Sequence, residues 1–295
     1  MAEFGYDLVF KEKLHETFRF AIDFFQKHNL SWFCAFGTAI GAVRHNDIIP
    51  WDDDIDLLMP REDYERLLTL KKDFNGTGYT VMSPQDDYYC FPFAKIVDEN
   101  TTLWEAPRYS FVLGVFIDIF PLDNSNLSPE EYKSAVRSFN LSADKLFKCQ
   151  TRYTFVEFIY DIRKNYKGAI LSGILSLFYS KNSIKKARED FLAKEKEFYT
   201  KDGINCMSFS GYYGIKEIYK KDWFDRYVEM PFHDYVVRVP KGYVEYLTQL
   251  YGNYMELPPV EKRVTHHGHY YLNLTERIGI EDIKKRIKKG ETLVY

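Results

Sequence analysis

The residues best suited to chemistry form one short acidic run. The segment 50–57 contains four aspartates: Asp52, Asp53, Asp54 and Asp56. Side chains alternate along a strand, so a strand here places Asp54 and Asp56 on one face and the apolar Ile55 and Leu57 on the other. Two carboxylates this close repel each other, so one takes up a proton or a hard cation lies between them. The run therefore predicts a divalent-cation site for Mg²⁺, or Mn²⁺ in its place, of the kind that phosphoryl and nucleotidyl transfer require.

Two other interpretations fit the acidic run less well. A solvated acidic loop would not need the apolar residues that alternate with the acids. An EF-hand calcium loop matches the first three ligand positions at Asp52, Asp54 and Asp56. It fails afterwards, because its glycine would fall at Leu57 and its bidentate glutamate at Asp63. A transferase-type cation site remains the favoured interpretation.

Two charged residues lie inside later apolar runs. Asp118 interrupts the run 115–120, where an ionised carboxylate is costly unless it is paired or bound to a cation. We expect it to be the third acid of the site, with capping of a backbone group as the alternative. Lys95, within the run 93–97, can meet a phosphate or lie at the surface with its aliphatic part buried.

A glycine turn precedes the acidic run. The apolar segment 32–36 is followed by Gly37 and Thr38 and then by the segment 39–43, which predicts a strand, a tight turn and the start of a helix. Backbone N–H groups of such a turn can hold a phosphate. Arg44, just beyond, can contact the same phosphate.

The surrounding elements predict an α+β fold, a mixed sheet flanked by helices with a helical insertion. Apolar spacing predicts helices at 8–25, 61–70, 129–149 and 242–250, the third capped by Ser128. Alternating or continuous apolar runs predict strands at 55–59, 91–97, 112–119, 206–209, 227–230 and 235–239. The section 155–199 is rich in helix formers. We expect a catalytic core at 1–125, a helical insertion at 126–204 that faces the acceptor or a membrane, and a C-terminal α/β part at 205–295 that completes the substrate cleft.

Composition restricts the partners. The 40 basic and 43 acidic residues give a formal net charge of −3, so nucleic acid is not an expected partner. The four cysteines are widely spaced, which favours reduced thiols over a disulfide framework. Residues 1–11 lack the apolar core of a signal peptide, and no apolar run is long enough to span a bilayer. The expected location is the cytoplasm, with the segment 163–188 either a core helix or a peripheral contact with the inner face of the plasma membrane.

The motifs resemble those of a known family. The run 35–45, with the sequence AFGTAIGAVRH, and the run 49–60, with the sequence IPWDDDIDLLMP, closely resemble the LicD family of cholinephosphotransferases, which is similar to the nucleotidyltransferase superfamily. The resemblance extends to the run 116–121 and to Tyr251-Gly252, 257–259 and His266-His267, so it spans roughly residues 15 to 270.

The resemblance implies a function and a set of site residues. The function is Mg²⁺-dependent transfer of phosphocholine from CDP-choline to a hydroxyl of a cell-surface glycan precursor, polyprenyl-linked or free, with release of CMP. The acceptor is a teichoic acid, a lipopolysaccharide or a capsule precursor. The nucleotidyltransferase-like pattern places the catalytic and metal-binding acids at Asp54, Asp56 and Asp118, with Gly37, Thr38, Arg44 and Lys95 binding the donor.

Other functions of the same site stay open at this point. The donor can instead carry ethanolamine phosphate, ribitol phosphate or glycerol phosphate, the reaction can be nucleotidyl transfer from an NTP, or the domain can bind nucleotide or glycan without catalysis. A trimethylammonium group is expected to bind aromatic faces. The candidates for such faces are Trp104, Tyr88, Tyr89, Tyr212 and Tyr213. The run 266–269 contains three histidines, which favour a loop or a substrate contact over a zinc site.

Overall fold

The computed structural model describes residues 3–151, 170, 180–265, 269–291 and 293–294. Over these residues the protein has a mixed α+β fold in which an open mixed sheet is flanked by helices. The predicted fold class is therefore confirmed. The described part contains seven α-helices: α1 (Glu3–Lys27), α2 (Phe36–Ile40), α3 (Arg61–Thr69), α4 (Pro129–Gln150), α5 (Lys181–Lys196), α6 (Tyr243–Tyr251) and α7 (Ile280–Ile287).

Twelve strands are described in the same residues: β1 (Phe33–Cys34), β2 (Asp56–Pro60), β3 (Tyr79–Met82), β4 (Ala94–Asp98), β5 (Thr102–Trp104), β6 (Phe116–Ser125), β7 (Asn205–Met207), β8 (Ile218–Lys220), β9 (Tyr227–Phe232), β10 (Tyr235–Pro240), β11 (Tyr271–Asn273) and β12 (Leu293–Val294). The main sheet has the order β1-β2-β6-β4-β3, and β7 and β8 extend it along the far end of β6. Only β2 and β6 are parallel neighbours within this sheet. Strands β9 and β10 form a separate hairpin, and β5, β11 and β12 form a small third sheet.

The core lies around β2, β6 and β4. Helix α3 packs against β2 and β6, and α1 packs against β4 and β6. Leu57, Leu58 and Met59 are all buried, so the prediction that this strand has a single apolar face is wrong. A central strand whose neighbours and covering helices exclude water on both sides needs no polar face.

Several predicted elements are confirmed with small shifts in their ends. Helices α1, α3, α4 and α6 lie where periodicity placed them, and Ser128 caps α4 in a reciprocal capping box with Glu131. The strand predicted at 112–119 begins later, at Phe116, and continues to Ser125. The four cysteines are buried and free, as expected.

Helix α5 is joined to the core by buried charges. Arg61 at the start of α3 donates to Asp123 of β6 (Nε–Oδ1, 2.6 Å) and to Glu195 of α5 (Nη1–Oε1, 2.9 Å). All three side chains are buried. Removal of one side chain from a buried group of charges leaves another charge buried without its partner, which is destabilising. The contribution of each of these three side chains to stability therefore depends on the other two.

Most of the segment predicted to be helical or membrane-facing is not described. Residues 152–169 and 171–179 lie outside the described residues. Its described end belongs to α5, where Arg188 is buried and ion-paired with Asp87. None of the described helices combines the length and apolar character that a bilayer crossing requires. The division at residues 125 and 204 stays a prediction.

Candidate active site

The parallel pair β2 and β6 sets two acids side by side. Asp56 begins β2 and is in register with Asp118 of β6, whose backbone N–H donates to the Ile55 carbonyl at 2.8 Å. Asp118 is also in register with Lys95 of β4, and the Lys95 Nζ lies 2.5 Å from Asp118 Oδ1. Lys95 and Asp118 are only 2% and 6% exposed. The sheet register therefore assembles two acids and one lysine from three strands.

The acidic run adds further negative charge to this pair. Burial, then the charge and hydrogen bond of Asp54, raise the pKa of Asp52 to about 8. Burial, followed by the charges of Asp54 and Asp118, raises the pKa of Asp56 well above its usual value. Burial raises the pKa of Asp118 to about 6, although Lys95 acts in the opposite direction. One lysine does not balance four crowded acids, so the cluster of Asp52, Asp54, Asp56 and Asp118 favours the binding of a cation.

The position of Asp54 differs from the expectation that it shares a strand face with Asp56. Strand β2 begins at Asp56, so Asp54 lies in the preceding loop and strand alternation does not position it. Asp54 is nevertheless close enough to raise the pKa of both Asp52 and Asp56. Oxygen atoms of Asp52, Asp53 and Asp54 all lie within 4.8 Å of one another. The loop, and not the strand, thus gathers these carboxylates.

The glycine turn packs directly on the acids. The sequence predicted that Gly37 and Thr38 form a tight turn before a helix. Helix α2 instead begins at Phe36, so both residues lie in its first turn. A Cβ on Gly37 would lie 2.6 Å from Asp52 Oδ2, which requires glycine there while Asp52 stays in place. The Thr38 hydroxyl accepts a hydrogen bond from the Asp56 N–H at 2.8 Å. Both residues therefore support the acids, and their contact with a phosphate stays a prediction.

Arg44 is engaged by the C-terminal part of the chain. Its Nη1 donates to the carbonyl oxygens of Tyr254 at 2.5 Å and Glu256 at 3.2 Å. Burial and the neighbouring Arg263 lower its pKa. Arg263, which sequence patterns did not single out, lies 5.2 Å from the ring centre of Trp51. The Arg263 guanidinium therefore stands beside the acidic run at Trp51, and only the fold brings it there. Contact of Arg44 with a phosphate stays a prediction.

The five aromatic candidates lie in different surroundings. Trp104 and Tyr89 are buried, whereas Tyr88 and Tyr212 are exposed. Tyr213 stacks on Phe36 with ring centres 5.9 Å apart. Burial raises the pKa of Tyr213, the hydrogen bond with Tyr251 acts in the opposite direction, and the charge of Asp56 raises the pKa further. Of these side chains, Tyr213 borders the glycine turn and the acids together. The Trp104 indole N–H instead donates to the Tyr109 carbonyl at 3.1 Å.

A cavity of about 730 Å³ lies elsewhere on the protein. Its lining includes Pro60 and Asn124, close to the carboxyl ends of β2 and β6, and Arg61, Arg226 and Arg238. Asp56 and Asp118 lie toward the opposite ends of the same two strands. The cavity and the four acids therefore lie at different ends of β2 and β6. The cluster of acids is the candidate active site.

Comparisons with known proteins agree with the resemblance to the LicD family. Residues 29–159 match the family model described as "LicD/FKTN/FKRP, nucleotidyltransferase domain". The chain is 27% identical over 246 residues to the lipopolysaccharide cholinephosphotransferase LicD of Haemophilus influenzae, covering 82% of this chain and 88% of that protein. It is 40% identical over 116 residues to human ribitol 5-phosphate transferase FKRP, covering 37% of this chain and 20% of that protein. The matched segment contains every acid of the cluster.

Proposed function

We propose that this chain, whose residues 29–159 match the LicD family model, transfers phosphocholine from CDP-choline to a hydroxyl of a cell-surface glycan precursor. The acceptor would be a lipopolysaccharide, teichoic acid or capsule precursor. The observation that carries the proposal is the cluster of Asp52, Asp54, Asp56 and Asp118 beside Lys95. The name of the Haemophilus relative, a lipopolysaccharide cholinephosphotransferase, supports this donor group and acceptor class.

The donor set suits Mg²⁺. Carboxylate oxygens are the ligands that this ion prefers, and the raised pKa of Asp52, Asp56 and Asp118 means that negative charge here lacks compensation. We propose that Asp54, Asp56 and Asp118 hold the ion. When bound, it would neutralise charge on the donor diphosphate and on the departing CMP.

The chain's own residues have the remaining roles. The acceptor oxygen attacks the phosphorus that carries choline, the bond from that phosphorus to the CMP oxygen breaks, and a carboxylate of the cluster takes up the acceptor proton. Lys95 holds Asp118 through the 2.5 Å contact and so orients one acid of the cluster. Thr38 fixes the start of β2 by accepting from the Asp56 N–H. Catalysis then rests on positioning and electrostatics.

A second transferred group should be compared directly with phosphocholine. The human relative is named a ribitol 5-phosphate transferase, which favours ribitol phosphate as the alternative transferred group. An acid cluster that binds a diphosphate does not distinguish the groups attached to it. Phosphoethanolamine and glycerol phosphate donors belong in the same comparison.

Product analysis tests the proposal. The full chain with Mg²⁺, CDP-choline and a short amino-sugar glycan is followed by ³¹P NMR for CMP and for a new phosphodiester. We expect both products, and neither with Asp54→Asn, while Asp282→Asn on the surface of α7 retains activity. Products only with CDP-ribitol would change the donor, and pyrophosphate release from an NTP would indicate nucleotidyl transfer. Nucleotide binding without turnover of any donor would contradict an enzymatic function and favour a binding module.

A further inference from the structure

A second cluster of possible metal ligands lies apart from the four acids. His15 comes from α1, Asp47 from the loop before the acidic run, and His233 from the turn between β9 and β10. His15 Nε2 lies 3.1 Å from Asp47 Oδ1, and His233 Nδ1 lies 3.2 Å from Asp47 Oδ2. The two imidazole rings stack with centres 4.2 Å apart. Two imidazoles and one carboxylate, each from a different segment of the chain, thus lie together.

The spacing suits a tetrahedral metal ion. One ligand atom from each of the three residues can be chosen so that all lie within 4.8 Å of one another. Ligands about 2.1 Å from a tetrahedral zinc ion lie about 3.4 Å apart, so small side-chain rotations would close the site. Imidazole ligands favour zinc and related transition metals over Mg²⁺. The donor chemistry therefore differs from that of the four acids.

Neighbouring side chains supply the outer contacts that such sites use. The Tyr235 hydroxyl lies 2.9 Å from His15 Nδ1, so Nδ1–H can donate to it while Nε2 faces the ion. Ligating histidines usually donate their second ring N–H to an oxygen in this way. Glu12 Oε2 lies 3.9 Å from His233 Nε2, which is beyond hydrogen-bond distance. A metal-bound geometry would thus satisfy the His15 ring, and Glu12 places a negative charge near the His233 ring.

The backbone holds the ligands together. His233 has a φ of 54° and Asn46 a φ of 53°, and the His233 N–H donates to the Asn46 carbonyl at 2.7 Å. A Cβ on Gly41 would lie 2.5 Å from the Asp47 carbonyl, so the loop needs glycine beneath it. Of the nearby cations, Arg19 is paired with Glu12 and Asp234. These contacts keep Asp47 and His233 side by side.

We propose that His15, Asp47 and His233 bind one divalent transition-metal ion, with zinc as the expected ion and water as the fourth ligand. A cavity of about 320 Å³, lined by all three residues together with Leu8, Glu12 and His45, gives the water access. The ion would tie α1 and the β9–β10 hairpin to the loop that leads into the acidic run. Its role is to hold that loop, and it does not depend on the transferred group.

Metal binding to the whole 295-residue chain tests the proposal. The protein is stripped with a chelator, dialysed and titrated with zinc by calorimetry, and its thermal unfolding is then recorded. We expect about one zinc per chain and a rise in Tm of about 5 °C at a zinc concentration 100-fold above Kd. Cobalt in place of zinc should give the intense visible absorption of tetrahedral Co²⁺.

Variants assign the site. His233→Gln, which replaces a partly exposed side chain, should remove the binding step and the cobalt absorption, and Asp47→Asn should do the same. Tyr235→Phe should weaken binding about 10- to 100-fold. Three variants are matched controls that should retain binding: His28→Gln, Asp56→Asn and the double variant His266→Gln/His267→Gln. Undiminished binding by both His233→Gln and Asp47→Asn, or loss of binding in Asp56→Asn alone, would overturn the proposal.

Discussion

Glu217 should make the stability of the fold depend on pH. Its side chain is buried, its Oε1 accepts from the Tyr213 N–H at 2.6 Å, and its Oε2 has no hydrogen-bond partner within the described residues. Burial raises the pKa of Glu217 from 4.5 to about 8, although the backbone N–H groups of Tyr213 and Gly214 act in the opposite direction. The folded state therefore keeps a proton that the unfolded state releases.

The sign of the effect follows from proton uptake. Because the folded pKa lies above the unfolded one, the stabilisation is complete below pH 4.5 and is lost as the pH rises to about 8. Between pH 5 and pH 8 the free energy of unfolding should fall by about 3.5 kcal/mol through this one group. Glu217→Gln keeps an acceptor for Tyr213 and removes the ionisation, so its stability relative to the wild type should rise by the same amount over that range.

Urea unfolding of both proteins at pH 5, 6, 7 and 8 measures the difference. Glu245→Gln, on α6 near its N-terminus, serves as the matched control and should run parallel to the wild type. A constant offset between Glu217→Gln and the wild type at every pH would refute the reasoning. It would mean that Glu217 ionises in the folded state as readily as in the unfolded one.

Three further changes probe the site and the core. Asp56→Asn should lower turnover at least about 100-fold while circular dichroism is unchanged, because it removes one of the crowded carboxylates; CMP release measures this. Gly37→Ala should lower turnover strongly and Tm only slightly, because its Cβ would lie 2.6 Å from Asp52 Oδ2 and displace that carboxylate; CMP release and thermal unfolding measure the two effects. Asp123→Ala should cost about 3 to 5 kcal/mol in urea unfolding, because it leaves Arg61 buried without its main partner; a loss below about 1 kcal/mol would contradict this.

Periodicity and motif spacing determined the local elements and the composition of the acidic site. The helix at 129–149 was predictable because its spacing and its Ser128 cap are properties of neighbouring residues. Asp118 was predictable because a carboxylate within an apolar run needs a partner. The family match over 29–159 was predictable because its motifs are continuous in sequence.

The tertiary structure decided which charges meet. Lys95 contacts Asp118 because β4 and β6 pair in one register, and a slip of one residue would separate them. Asp54 joins the cluster from a loop, whose path no residue period describes. His15 and His233 meet across more than two hundred residues of sequence because α1 and the β9–β10 hairpin pack together. Sequence patterns report contacts between near neighbours, whereas contacts between distant residues depend on how whole elements pack.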